Sequence, residues 1–268
     1  MKIYFPQWQG SGTGKNIALG AATILESLND NSFKQISLSA IKAGVDGQKA
    51  HNINNYSAIV EQLERLQSEI DKGNPDTLQI IGGDCGLEIV PVSYLNKKYP
   101  NLGVIWFDAH ADINRPCDSV SCNFHGMPLR TLLGEGAPEM NALLASTLAP
   151  SQIHYVGLRD IDQPEQTRIE EDNIYAPKTF DPQALVKTLE AKTITKLYLH
   201  FDFDCLDPKA YDKTYYQVPN GLSISEAEVG IQTLKDRFEI VGASVLESVT
   251  PQVSELKPIE NILNLLLK

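Results

Sequence analysis

The chain has 268 residues, of which 42% are hydrophobic and 21% charged, enough apolar sequence to bury one substantial core. Its formal net charge of -11 argues against a nucleic-acid or anionic-membrane surface, since both need clustered Lys and Arg. No run is long enough for a signal peptide or reaches the roughly 18 apolar residues of a membrane span. We therefore expect a soluble cytoplasmic protein whose four cysteines, without a CxxC pair, are free thiols.

Short runs rich in Ile, Val, Leu and Tyr recur along the chain. The predicted strands are 2–5, 34–41, 77–83, 102–110, 153–160, 196–204 and 240–249. Several of them are apolar on both faces, as the strands of a covered parallel sheet must be. Segments of helical period lie between them, and this alternation predicts an α/β fold, a three-layer α/β/α sandwich with a mostly parallel central sheet. We expect a single domain over residues 1–268.

Three of the predicted helices are the most distinct. Residues 55–72 carry an apolar stripe, formed by Ile59, Leu63, Leu66 and Ile70. Residues 225–238 begin with Ser225 and Glu228, which have the spacing of a capping box. A last helix is expected over 258–267.

Ionisable side chains follow four of the predicted strands. They are Asp84; Asp108, His110 and Asp112; Asp202 and Asp204; and Glu247. Because the carboxyl ends of parallel strands meet at one edge of the sheet, these groups would converge there. Crowded carboxylates destabilise a fold unless a cation neutralises them. The pattern therefore predicts a divalent metal centre.

The motifs DAHAD and DFD have a period of two, which puts alternate side chains on the same side of an extended segment. Carboxylates that bridge two metals about 3.5–4 Å apart hold a shared hydroxide, which attacks an unreactive carbon at neutral pH. Oxygen-rich sites with one imidazole suit manganese. The alternative, that each acid is a helix cap or a solvated turn, explains one motif better than three together.

The segments GGDCG, DAHAD, NFHGMPL, HFDFDCLDP and VLESVTP resemble, in order and spacing, the five signature segments of the ureohydrolases, the arginase and agmatinase family, over about residues 80–250. The resemblance implies a three-layer α/β/α fold and two Mn²⁺ ions in a dinuclear site that cleaves guanidinium groups to release urea. The ligands implied for one metal are Cys85, Asp108, Asp112 and Asp202. Those implied for the other are His110, Asp108, Asp202 and Asp204.

The loop NRPCDSVSCNF at 114–124 resembles the arginase branch, in which Asn, Ser and Asn bind an amino-acid carboxylate. The residues implied here are Asn114, Ser121, Asn123 and, as a further candidate, Ser119. The segment GLRDIDQPE resembles the arginase segment that reaches the α-amino group. That likeness implies Asp162 and Glu165, with Asp160 in support. An α-amino acid is therefore favoured over a decarboxylated amine.

At Cys85 the chain departs from the family, which has His at this position. A thiolate is too soft for manganese, so one interpretation is a buried thiol beside an empty or weak first metal site. However, a branch of the family uses Cys here, the Nω-hydroxy-L-arginine amidinohydrolases, which make hydroxyurea and ornithine. An N-hydroxyguanidine is less basic than a guanidine, and we hypothesise that it needs a less cationic centre.

In the expected reaction, Glu247 accepts hydrogen bonds from the cationic head of the substrate, Asp112 takes a proton from the nucleophile, and His125 passes one to the leaving amine. The favoured function is hydrolysis of hydroxyarginine or arginine, with an amino acid as the partner and neither nucleic acid nor membrane. Two alternatives stay open: agmatinase or formimidoylglutamase activity, and a metal-poor binding relative. Homo-oligomers are common in the family.

Two weaker signals receive structural interpretations. His51, His154 and His200 are expected to be packed structural histidines, with His200 on the face of its strand opposite to Asp202. GSGTGKN at 10–16 departs from a phosphate-binding loop at Gln9 and Asn16. The family resemblance instead places this segment near the rim of the active site.

Overall fold

The computed structural model describes residues 1–12, 16–38 and 48–268. The strands are β1 (Lys2–Phe5), β2 (Lys34–Gln35), β3 (Leu78–Gly82), β4 (Gly103–Phe107), β5 (Ile153–Val156), β6 (Lys196–Asp202) and β7 (Glu239–Leu246). Within the described ranges they form one seven-stranded sheet in the order β2-β1-β3-β7-β6-β4-β5, with every pairing parallel. The predicted α/β fold with a parallel central sheet is confirmed.

Helices cover both faces of this sheet. They are α1 (Asn16–Leu28), α2 (Tyr56–Gly73), α3 (Ile89–Lys98), α4 (Pro128–Arg130), α5 (Pro138–Ala142), α6 (Gln163–Glu171), α7 (Pro182–Ala191), α8 (Ile224–Arg237) and α9 (Glu260–Leu267). Successive residues of β4 face opposite clusters: Trp106 belongs to one hydrophobic cluster and Phe107 to the other. The central strands are therefore apolar on both faces, as expected for the middle layer of three.

Several predicted boundaries need correction. The strand expected over 34–41 is only two residues long, and 39–41 lie outside the described residues. The capping box of α8 is formed by Ser223 and Glu226, not by Ser225 and Glu228. The last helix begins at Glu260, after a 3-10 segment, Val253–Ile259. In contrast, the predicted stripe of α2 is buried, as expected.

Two features noted in the sequence are confirmed. All four cysteines lie in the described part of the chain and are free thiols. No helix among the described residues is long and apolar enough to cross a membrane.

Candidate active site

Ionisable side chains meet at the carboxyl ends of β3, β7, β6 and β4, which are neighbours in the sheet. Their ligand atoms form three overlapping groups, and within each group all atoms lie within 4.8 Å of one another. The groups are Cys85, Asp108, Asp112 and His200; Cys85, Asp202 and Glu247; and Asp108, His110 and Asp204. The six predicted metal ligands thus converge, and His200 and Glu247 join them.

Turns, rather than the expected extended strands, produce this convergence. β4 ends at Phe107, and Asp204 lies in a 3-10 turn that follows β6. The carboxylate of Asp108 accepts a hydrogen bond from the backbone amide of His110 at 2.7 Å, and Asp202 accepts one from the amide of Asp204 at 2.7 Å. Such side-chain bonds to the amide two residues on are turn-forming, so these acids themselves bend the chain at the strand ends.

One side of the centre is rich in oxygen. His110 Nδ1 lies 2.9 Å from Asp204 Oδ2 and 3.5 Å from Asp108 Oδ1. Burial and the charge of Asp108 raise the pKa of Asp204 to about 6. The pKa of His110 is raised far above its ordinary value because its hydrogen bonds to Asp108 and Asp204 outweigh its burial. Two carboxylates and one imidazole are the donor set that manganese accepts.

The other side contains Cys85, which is 2% exposed. Its Sγ lies 3.4 Å from Asp202 Oδ2 and 3.7 Å from His200 Nε2. Burial and the neighbouring carboxylates raise the pKa of the thiol well above its ordinary value. The expected orientation of His200 was wrong: its side chain is on the same face of β6 as Asp202, because residues two apart on a strand point the same way. As expected, the side chain is fully buried.

The buried carboxylates fit a cationic occupant. Asp112 Oδ2 and Glu247 Oε2 are buried and have no hydrogen-bond partner among the described residues. Burial and the charge of Asp108 raise the pKa of Asp112 well above its ordinary value. Burial and the charge of Asp204 do the same to the pKa of Asp202. Divalent ions would neutralise these groups. The predicted ligands therefore suit a pair of divalent cations.

Asp84 has a different role from its neighbours. It accepts hydrogen bonds from the backbone amides of Gly10 and Gly86, each at 2.9 Å, and its pKa is raised to about 7 by burial and the charge of Glu247. The carbonyl of Gly10 in turn accepts from the amide of His125 at 3.1 Å. The start of the GSGTGKN segment is thus fastened beside the site, as expected, while residues 13–15 lie outside the described part.

A cavity of about 240 Å³ opens over the ligand groups. It is lined by Cys85, His110, Asp112, Asn114, His125, Gly126, Asp160, Asp162, Glu165, Asp202, Asp204 and Tyr216. Both predicted halves of the site, the metal ligands and the residues expected to bind an α-amino group, therefore face one space. Tyr216 was not predicted; its ring lies 5.1 Å from that of His125 and 6.2 Å from that of His110.

Asp162 and Glu165 also form the capping box of α6. Asp162 Oδ1 accepts from the amide of Glu165 at 3.0 Å, and Glu165 Oε2 accepts from the amide of Asp162 at 3.2 Å. The second oxygen of Asp162 accepts from Asn114 Nδ2 at 2.8 Å. Burial and the charge of Asp162 raise the pKa of Glu165 to about 7. Capping accounts for one oxygen of Asp162, and the other lies at the cavity beside Asn114.

The rest of the predicted carboxylate subsite lies beside the cavity. Among the described residues that line it, Ser119, Ser121 and Asn123 are not found. Ser119 Oγ accepts from the amide of Cys122 at 3.1 Å, and Ser121 Oγ from the amide of Asn123 at 3.2 Å. Asn123 donates to the Ser11 carbonyl at 3.1 Å. These side chains shape the loop, and their contact with a substrate stays a prediction.

His125 and Glu247 form a pair at the inner wall. His125 Nδ1 lies 3.2 Å from Glu247 Oε1, which also accepts from the backbone amide of Cys85 at 3.2 Å. The pKa of His125 is raised because the hydrogen bond and charge of Glu247, with the charge of Asp84, outweigh burial. The protonated ring is therefore favoured, which suits the predicted proton donor.

The two other histidines differ from each other. His154 is fully buried, with Nδ1 3.0 Å from the Gln152 carbonyl, as expected for a packed structural residue. The side chain of His51 is 46% exposed, with Nε2 3.6 Å from Glu139, so the expectation that it is packed was wrong. It lies in a turn, and although its ring lies 5.0 Å from that of Tyr56, nearly half of the side chain stays exposed.

Known proteins are similar to this chain in sequence and in fold. The model of the Arginase family matches residues 11–259. The arginase of Staphylococcus aureus (strain COL) is 32% identical over 236 residues, which cover 80% of this chain and 78% of that protein. The arginase of Bacillus subtilis (strain 168) is 29% identical, over 86% of this chain and 82% of that protein. The crystal structure of Entamoeba histolytica arginase in complex with L-ornithine has a TM-score of 0.84 at 24% identity, over 98% and 97% of the two chains. The chain therefore belongs to the arginase family and is a ureohydrolase of that family.

Proposed function

We propose that this enzyme hydrolyses the guanidino group of an arginine-type α-amino acid. The preferred substrate would be Nω-hydroxy-L-arginine, giving hydroxyurea and L-ornithine, with L-arginine, giving urea and L-ornithine, as the second. Arginase-family membership implies a binuclear manganese site and an amino-acid substrate. The observation that supports an α-amino acid most is the shared cavity, which is lined both by residues of the ligand groups and by Asn114 and Asp162.

The residues of the cavity that lie outside the ligand groups suit an amino acid by charge. Asp160, Asp162 and Glu165 offer carboxylate oxygens to an ammonium group, and Asn114 offers an amide to a carboxylate. Asn114 Oδ1 is buried without a hydrogen-bond partner among the described residues. Its amide is already positioned by Asp162 at 2.8 Å. A substrate without a carboxylate, such as agmatine, would leave part of this arrangement unused.

Hydrolysis needs divalent cations, which when bound would activate water for attack on the guanidino carbon. Six predicted ligands would hold them: Cys85, Asp108, His110, Asp112, Asp202 and Asp204. Glu247 would accept hydrogen bonds from the substrate nitrogens, since one of its oxygens has no partner among the described residues. Asp112 would take a proton at its own orphaned oxygen, and His125 would deliver one to the amine nitrogen that leaves.

Cys85 is the residue that favours hydroxyarginine over arginine. By resemblance, it is the residue that the hydroxyarginine amidinohydrolases have at this position of the sequence. Its Sγ lies among the ligand atoms of two of the three groups. A thiolate carries its charge to the centre and lowers the net positive charge that a substrate head group meets. The less basic N-hydroxyguanidine would be better suited to such a centre than the guanidinium of arginine.

A side-by-side assay of hydroxyarginine, arginine and agmatine tests the substrate class, with Cys85→His as the second variant. We expect the wild-type enzyme to act best on hydroxyarginine and least on agmatine, and Cys85→His to gain activity on arginine. A Cys85→His enzyme that gains nothing on arginine would show that Cys85 does not select the substrate. Preference for agmatine by the wild type would replace an amino acid with an amine as substrate.

A further inference from the structure

His200 is held as a metal-ligating histidine would be held. Its Nδ1 lies 3.0 Å from Glu88 Oε1, and both side chains are fully buried. Glu88 also accepts hydrogen bonds from the hydroxyls of Tyr198, at 2.5 Å, and Ser244. A histidine that binds a metal through one nitrogen usually donates its other N–H to a carboxylate. Here the Nδ1 side is engaged in this way, so that Nε2 faces the centre.

The ring cannot easily turn away from the centre. It stacks on the indole of Trp106 with ring centroids 3.5 Å apart and an interplanar angle of 6°. Trp106 and His200 are paired across neighbouring strands β4 and β6. The stacking and the Glu88 contact therefore fix the ring orientation from two directions.

The distances around Nε2 match those between ligands of one ion. Nε2 lies 3.4 Å from Asp108 Oδ2 and 3.7 Å from Cys85 Sγ. The 3.4 Å separation exceeds the roughly 2.7–3.2 Å of an ordinary N–H···O hydrogen bond. Ligand atoms about 2.0–2.3 Å from a shared tetrahedral ion are themselves about 3.3–3.8 Å apart. The nitrogen, sulfur and oxygen atoms are thus spaced as the ligands of one ion are.

We propose that His200 is a ligand of the first metal ion, with Cys85, Asp108 and an oxygen of Asp112 completing the group. The ligand atoms of these four residues all lie within 4.8 Å of one another. One sulfur, one nitrogen and carboxylate oxygens form a donor set typical of borderline ions such as Zn²⁺ or Co²⁺, whereas manganese prefers oxygen. The two halves of the centre would then differ in chemistry: the His110 side suits manganese and the His200 side suits a softer ion.

The inference deepens the proposed function and rests on the same centre, but its test does not use hydrolysis. The full chain is stripped of metal with a chelator and titrated with Co²⁺ alone, while absorption reports cobalt–thiolate charge transfer and elemental analysis gives the ions bound per chain. We expect two ions per wild-type chain, one of them with a thiolate band. X-ray absorption of wild type with one equivalent of Zn²⁺ should show sulfur at about 2.3 Å and imidazole nitrogen at about 2.0–2.1 Å.

Two variants and a control test whether the nitrogen ligand of the thiolate-bound ion belongs to His200. Glu88→Gln should weaken binding of the thiolate-bound ion about 10- to 100-fold, as loss of an orienting carboxylate does. His200→Gln should weaken it more and change the absorption spectrum. The control, His154→Gln, removes another fully buried strand histidine, which lies in β5 and outside all three ligand groups of the described chain. It should leave both ions and the thiolate band unchanged.

The outcomes separate the two proposals. A thiolate-bound ion whose affinity and spectrum are the same in His200→Gln and wild type would overturn the assignment. The assignment of His200 as a ligand would equally fail if only one ion bound and no thiolate band formed. In that case the positive charge at the first site would come from a protonated His200 ring and not from a metal ion. Neither result would contradict hydrolysis of a guanidino group. Conversely, two ions with the expected dependence on His200 but no hydrolysis would contradict only the proposed function.

Discussion

Asp162 uses its two oxygens for two different neighbours: Oδ1 caps α6 by accepting from the amide of Glu165 at 3.0 Å, and Oδ2 accepts from Asn114 Nδ2 at 2.8 Å. The cap explains why Asp stands at the start of the helix. It does not explain the second contact, which lies at the edge of the cavity. The two oxygens therefore allow stability and substrate binding to be tested separately.

Asp162→Asn should preserve the cap and remove the charge, since Asn caps helices as well as Asp does. We expect kcat/KM for hydroxyarginine and arginine to fall about 10- to 100-fold, because a hydrogen bond to a charged group contributes about 1.5–3 kcal/mol. Activity on agmatine should change little. Asp181→Asn is the control, since the side chain of Asp181 also caps a helix, α7. Equal losses on all three substrates would remove Asp162 from α-amino recognition.

His125→Asn should lower kcat about 10²- to 10⁴-fold with little change in KM, the effect typical of losing a general acid. The reason is the pair with Glu247 at 3.2 Å, which favours the protonated ring beside the cavity. His51→Asn, which changes a half-exposed histidine, serves as the control. Steady-state kinetics of both variants decide the matter, and undiminished kcat in His125→Asn would exclude it as proton donor.

His154 should make the fold sensitive to acid. Burial and the nearby Lys192 lower its pKa to about 3, whereas an unfolded histidine titrates near 6.5. The unfolded chain therefore binds an extra proton between these values, and the free energy of unfolding falls as the pH falls, by up to about 1.4 kcal/mol per pH unit.

Urea unfolding of His154→Gln at several pH values measures this contribution. We expect a smaller loss of stability between pH 6.5 and 4 than in wild type. A slope in His154→Gln that equals that of wild type would mean that the buried ring is protonated in the folded state.

Gly83 lies where two chain segments cross at the end of β3. A Cβ there would be 1.6 Å from the Gln7 carbonyl oxygen, whereas one at Gly126 has no described atom within 4 Å. We expect Gly83→Ala to lose about 1–3 kcal/mol or more of stability through the clash, and Gly126→Ala to be nearly neutral. Thermal unfolding compares them; equal melting temperatures would show that the Gln7 segment moves aside without cost.

The parallel sheet and the cluster of acids could be anticipated because they depend on local pattern and on one rule of parallel sheets. Asp108 and Asp202 were expected to meet since the ends of β4 and β6 share an edge. The N-cap of α8 was misplaced by two residues because Ser223 and Ser225 are each followed three positions on by Glu, and only the buried face of the folded helix decides between them.

Two residues beside the site were not predicted because tertiary contacts place them there. Tyr216 contacts His110 and His125 from a distant loop, and no spacing in the sequence places it there. Glu88 was not predicted: a helix-forming acid normally faces solvent, whereas here it is 0% exposed and bonded to His200. The orientation of His200, in contrast, could have been predicted, since the period of two on a strand puts it on the same face as Asp202.

Ornithine formation tests the central claim most directly. The chelator-stripped enzyme is offered hydroxyarginine or arginine before and after divalent metal is restored, and ornithine, urea and hydroxyurea are measured by mass spectrometry. We predict no product before loading, and ornithine in equal amount with hydroxyurea or urea afterwards. Metal-loaded, folded protein that forms ornithine from neither substrate would contradict the account.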